Sequence, residues 1–231
     1  MHVQIYDAPD DLEAALLALK DRILLAALPD VPFDGWTRRG IQVGAEAVGV
    51  DPAEAAMAFP EGPADLVAHF SDWADRRMLD GLIARDLASM RVRDRIGLGV
   101  RLRLEAVALH REAVRRAASF LALPENAGLG LRLAGATANA IWYAAGDTAT
   151  DYNWYTKRGL LVGVLGATTL YWLTDESEGH AETWQFLDRR IDDVMRVGRA
   201  VSRPPRLDRL PVYVPSPARF IRQLRRRLRD M

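Results

Sequence analysis

Apolar residues recur along this chain at alternating steps of three and four, and no segment sustains the period-two alternation of a half-buried strand. The pattern predicts an all-α protein. Helices are expected near 8–27, 36–48, 52–58, 62–87, 91–121, 126–145, 152–174, 179–201 and 217–229. Pro29 and Pro32 close the first, Asp51-Pro52 opens the third, and Pro60 to Pro63 separates it from the fourth. Pro204, Pro205, Pro211, Pro215 and Pro217 favour extended backbone, so 203–215 reads as a semi-rigid spacer before the last helix.

Two helices stand out. In 179–201, Trp184, Leu187, Ile191 and Val194 form an apolar seam with Arg189, Arg190, Asp192 and Asp193 between them. Spacing leaves open whether the seam meets this chain or a second copy. The stretch DYNWYTKRGLLVGVLGATTLYWLTDE (151–176) packs two aromatics and two cations between Trp154 and Arg158, then runs uncharged from Gly159 to Thr174. Its 15 residues from Gly159 to Leu173 span roughly 22 Å of helix against a bilayer core of about 30 Å, too short to cross. Gly159, Gly163, Gly166 and Leu170 fall on one side, and Leu161, Leu165, Thr168 and Trp172 cover the other, which predicts a helix with no face for water. It is either an ordinary core helix or the wall of a cavity, with Thr168 and Thr169 as sparse polarity. Trp154, Tyr155, Lys157 and Arg158, with Trp142 and Tyr143 upstream, have the composition of a partner-docking patch.

At 231 residues, 49% hydrophobic and 27% charged, the chain suits one sizeable core or a small domain against a larger one. It has no cysteine, which excludes disulfides and thiolate metal sites. The acidic N-terminus lacks the basic flank of a signal peptide and the Arg/Ser character of a transit peptide, so the expectation is a bacterial cytoplasmic protein, or a mature form already trimmed. Zero net charge hides an asymmetry: residues 1–75 hold 14 acidic and 4 basic side chains, whereas 203–231 hold 9 Arg and 2 Asp.

Residues 36–78 resemble in layout the helix-turn-helix of TetR-type repressors. The chemistry that DNA needs is missing. Between Ala45 and Asp75 there is no Lys or Arg, while Glu46, Asp51, Glu54, Glu61, Asp65, Asp72 and Asp75 would repel phosphate. A vestigial structural domain over 1–75 is favoured, and no nucleic-acid partner is expected. His2, His69, His110 and His180 are scattered, and none follows a Glu by three residues as a helical carboxylate metal site requires. HExxH, GxxxxGK, GxSxG and GxGxxG are all missing. No catalytic residue and no metal site is assigned, and a binding or accessory role is expected.

In 216–231, Ser216-Pro217 start a helix. Phe220, Ile221, Leu224 and Leu228 share a narrow apolar arc, opposite Arg222, Arg225, Arg226 and Arg229. That is the pattern of a helix lying in the headgroup region of an anionic membrane. A surface helix packed on the protein's own body and a basic nucleic-acid tail are the other readings.

The run AIWYAAGDTATDYNWYTKRGLL, followed by YWLTDESEGHAETWQFLDRRIDDVMRVGR, resembles the signature region of the Coq-nine family, TetR-like accessory proteins of ubiquinone biosynthesis. The resemblance implies a TetR-like all-α fold divided into 1–75, a lipid-binding and dimerisation domain over 76–202, the linker 203–215 and a membrane helix over 216–231. It implies a non-enzymatic protein that presents an isoprenoid quinone precursor to the demethoxyubiquinone hydroxylase. The bound lipid would be its ligand and no cofactor is implied. The docking surface maps onto Trp142, Tyr143, Asp151, Trp154, Tyr155 and Arg158. The lipid would meet Leu161, Leu165, Thr168, Thr169 and Trp172. A homodimer would form through Trp184, Leu187, Ile191 and Val194, and Phe220, Ile221, Arg222, Leu224, Arg226 and Leu228 would hold it peripherally on the inner face of the bacterial cytoplasmic membrane. A ligand-responsive TetR-type regulator is the alternative.

Overall fold

The computed structural model describes residues 8–146 and 152–201, all helix and connecting turn. Among the described residues, ten α-helices run in order: α1 Ala8–Ala27, α2 Val31–Asp34, α3 Arg38–Ala47, α4 Pro52–Ala58, α5 Pro63–Ile83, α6 Val92–Glu105, α7 Arg111–Leu121, α8 Ala127–Ala144, α9 Tyr152–Trp172 and α10 Ala181–Val201. The chain divides into two compact units, Met1–Met195 and Arg196–Met231. Of the second, only the end of α10 falls in the described residues. The proline-rich spacer and the expected membrane helix, with Phe220, Ile221, Arg222, Leu224, Arg226 and Leu228, lie outside them.

Local chemistry sets the boundaries. Thr37 accepts the Gly40 amide at 3.0 Å to cap α3, and Asp51 accepts the Ala53 amide at 2.8 Å to cap α4, with Pro52 following as a first helical residue. Pro63 opens α5 in the same way. Helices α3 and α4 form a helix-turn-helix against α1. Gly44 makes that close packing possible, because a Cβ there would sit 2.7 Å from the Ile23 carbonyl oxygen.

Helix α5 is the spine. Leu66, Val67, Phe70, Trp73 and Ala74 on its first half belong to a core shared with Ile23, Leu24, Ile41 and Phe59. Met78 and Leu82 on its second half belong to another, built with Ile96, Val100, Ile141, Leu161 and Ile191. The expected boundary at residue 75 thus falls inside one continuous helix. The first core also draws in Leu104, Val107, Ala113 and Trp172, so the helix-turn-helix leans on elements far along the chain. Each fully buried aliphatic side chain contributes about 1.5–3 kcal/mol.

One expected helix is two. The pattern over 91–121 breaks after Glu105, and a 3₁₀ turn at Ala108–His110 redirects the chain into α7. No Gly or Pro marks the break; tertiary contacts impose it. Val107 is fully buried while Leu109 is 94% exposed. Helix α7 is held in place by the Trp36 indole N–H donating to the Ala113 carbonyl at 3.2 Å and by Arg116 donating to the Pro32 carbonyl at 2.8 Å. Arg111 then reaches the carbonyls of Trp172 and Asp175, and Arg115 that of Leu173 at 2.6 Å. Carbonyls at the end of α9 that have no partner within that helix are satisfied by cations from α7.

Candidate functional site

An apolar cavity of about 210 Å³ lies among α5, α6, α7, α8 and α9. Phe70, Leu104, Val107, Leu133 and Leu165 supply much of its wall, and Ser71, Arg103, Thr137 and Thr169 its polarity. Arg103 Nε donates to Asp75 Oδ1 at 2.5 Å, Arg103 Nη2 donates to Ser71 Oγ at 3.2 Å, and the Thr137 hydroxyl reaches Asp75 Oδ2 at 2.8 Å. Burial pushes the Asp75 carboxyl above its ordinary range, and Arg103 and Thr137 only partly offset it. The Arg103 hydrogen bonds engage Nε and Nη2. A mostly apolar cavity with a few converging polar groups is the form of a small-ligand site.

Of the residues expected at the lipid, Leu165 and Thr169 line this cavity. Leu161, Thr168 and Trp172 do not. Leu161 packs into the second core. Thr168 is fully buried and its hydroxyl has no hydrogen-bond partner. Trp172 is enclosed in the first core between the Arg111 guanidinium, 5.3 Å from its ring, and the His180 ring at 5.8 Å. The expectation that α9 has no face for water is corrected as well. Gly159, Gly163 and Gly166 are exposed and Leu170 is 62% exposed.

The expected docking patch separates into layers. Tyr143 is 79% exposed. Trp142 and Arg158, expected at the surface, are instead buried, at 6% and 7% exposure. The Trp142 indole N–H donates to the Lys157 carbonyl at 3.2 Å, with the Lys157 ammonium 5.3 Å from its ring, and Arg158 Nε donates to Asn139 Oδ1 at 2.8 Å. These two side chains join α8 to α9. Amphipathic residues carry enough apolar surface to serve as packing, which is why composition alone misassigned them. Trp154 and Tyr155 lie in the first turn of α9, and Asp151 falls outside the described residues.

The seam of α10 is filled in part by its own chain. Leu187 and Ile191 are buried in the second core, and a Cβ on Gly97 of α6 would meet Ile191 Cδ1 at 3.2 Å. Trp184 is half-buried, with Arg101 of α6 4.9 Å from its ring, and Val194 packs against the same core. Of the seam, Leu187 and Ile191 face this chain's own core, while Trp184 and Val194 are only partly buried beside it.

Asp75 and Arg103 were missed as site residues, yet a signal exists. Arg103 falls on the stripe Ile96, Val100, Arg103, and Asp75 stands four after Ser71 and three before Met78. Arg103 is thus a charge written into an apolar helical face, and Asp75 one beside the buried Ala74 and Met78. Among the described residues no helix is long and apolar enough to cross a membrane, and no group of three or more His, Asp or Glu could hold a metal ion.

A family profile described as COQ9 matches residues 127–198, from the start of α8 to near the end of α10. Ubiquinone biosynthesis protein COQ9, mitochondrial, of Drosophila melanogaster is 36% identical over 197 residues, covering 84% of this chain and 60% of its own length. The protein of the same name from Homo sapiens is 35% identical over 187 residues, covering 78% and 58%. The chain therefore spans about 60% of the length of these relatives. A TetR transcriptional regulator from Nitrosomonas europaea superposes with a TM-score of 0.62 at 21% identity, over 78% of this chain and 99% of that one. The fold is TetR-like. The relatives are mitochondrial by name, which overturns the expectation of a bacterial cytoplasmic protein. That expectation rested on the charge of the N-terminal stretch, and such charge does not report compartment.

Proposed function

The chain belongs to the COQ9 family, and from that membership we propose that it serves ubiquinone biosynthesis as an accessory protein, binding an isoprenoid quinone precursor and presenting it to the demethoxyubiquinone hydroxylase at a membrane surface. The observation that carries the reading is the apolar cavity on α9, whose wall residue Leu165 lies ten positions beyond Tyr155, about 15 Å along the helix. Ligand and docking face would thus share one rigid element. An isoprenoid tail exposed to water costs about 0.8 kcal/mol per CH₂, so the tail stays in the bilayer or against an uncharged surface while the rest of the molecule is presented. The basic segment 216–231, expected from its sequence to be an amphipathic helix, would keep the protein at the membrane, two copies would act together, and the exposed Tyr143 with Trp154 and Tyr155 would meet the hydroxylase. The chemical step belongs to the hydroxylase; this chain binds and orients.

Affinity capture with the hydroxylase tests the reading. Tyr143→Lys and Trp154→Lys each abolish capture while helicity and thermal unfolding stay at the wild-type value. Capture retained by both variants places the contact elsewhere.

A further inference from the structure

We propose that the cavity among α5–α9 is a head-group site, which takes one six-membered ring bearing acceptor oxygens and sets an oxygen against Arg103; this rests on the isoprenoid-quinone reading above. Size is the first ground. A cavity of about 210 Å³ is only modestly larger than the ~150 Å³ engineered cavity that admits benzene. It holds a substituted ring and is far too small for a polyisoprenoid tail. Polarity is the second. A tail needs no hydrogen bond, yet one wall carries Ser71, Arg103, Thr137 and Thr169. Arg103 is fixed by Asp75 and Ser71 through Nε and Nη2, and its Nη1 would donate to an acceptor oxygen of the ring.

The access route is the third. Gly166 lines the cavity, is exposed, and has nothing within 4 Å of where its Cβ would stand. The ring would enter there and its tail would leave along the exposed face of Gly159, Gly163 and Leu170. That uncharged face, unexplained as core, becomes the path of the tail.

Tryptophan fluorescence of the full chain reports occupancy, because Phe70 lines the cavity, stacks against Trp73 at 6.3 Å and packs tilted against Trp36 at 5.2 Å. Quinones quench indole emission. The probes are 2,3-dimethoxy-5-methyl-1,4-benzoquinone, a ring without a tail, and geranylgeraniol, a tail without a ring. The quinone quenches saturably, and affinity falls about tenfold or more in Gly166→Leu and in the double variant Asp75→Leu/Arg103→Met. Geranylgeraniol does not displace it. Gly166→Leu places its side chain in open space on a helix and keeps the fold intact, so its result stands if the double variant unfolds. Undiminished quenching in Gly166→Leu, or displacement by geranylgeraniol, overturns the proposal. Isoprenoid that copurifies with a protein the tail-less quinone does not quench defeats this site and leaves the proposed function standing. Quenching without any copurified isoprenoid does the reverse.

Discussion

Arg103 on α6 donates through Nε to Asp75 Oδ1 on α5 at 2.5 Å, with side chains only 16% and 14% exposed. The pair ties the two helices beside the cavity and fixes the guanidinium on its wall. Asp75→Ala leaves a buried cation unpaired and costs about 3–5 kcal/mol, read as a lowered urea midpoint. Asp75→Leu/Arg103→Met removes both charges and recovers most of that loss.

Asp175 is an acid-sensitive group. Burial alone would raise its pKa, but hydrogen bonds from Ser177 and from the amide and hydroxyl of Thr183 outweigh it and hold the carboxyl well below the usual range. The folded pKa lies under the unfolded value of about 3.9, so the stabilisation is complete above that value and is lost as pH falls through the folded one. Asp175→Asn is therefore less stable than wild type at neutral pH, and the gap narrows below about pH 4. Thermal unfolding across that range checks it.

Arg111 and Arg115 satisfy the carbonyls that end α9. Hydrogen bonds to a charged donor contribute about 1.5–3 kcal/mol. Arg115→Met should raise amide exchange over 169–175 while α1 and α3 keep wild-type protection, which hydrogen exchange resolves by segment.

Gly44→Ala forces a Cβ to 2.7 Å from the Ile23 carbonyl and 3.0 Å from the Ala27 Cβ. Helix α3 must back away from α1, at about 1–3 kcal/mol. Differential scanning calorimetry shows a lowered Tm.

The helix-turn-helix should not bind an operator. Asp51 caps α4, and Glu54 and Met57 occupy its outer face, where a reader of base edges needs cations and amides. A mobility-shift assay at low salt returns no specific complex.

Much of the fold is legible in the sequence because proline, caps and the 3.6-residue period act locally. Asp51-Pro52 starts α4 and Pro63 starts α5 where the pattern places them. The break after Glu105 is not legible, since Trp36 and Arg116 impose it from contacts with residues 77 and 84 positions away in sequence. The same limit governs the site. The apolar stretch of α9 marks the wall of a cavity, but which of its residues face that cavity depends on α7 and α8. Leu165 and Thr169 line it; Thr168, one residue from Thr169, does not. Trp142 and Arg158 carry interface composition and are consumed in joining α8 to α9, a contact that only their packing reveals.

Native mass spectrometry of the intact chain, purified from membranes without harsh detergent, addresses the central claim that the protein carries an isoprenoid quinone precursor. The account predicts a bound species whose mass is that of a polyisoprenoid ring compound, released on collisional activation. A clean spectrum of apoprotein, with no isoprenoid or fatty ligand under conditions that preserve the fold, would contradict it.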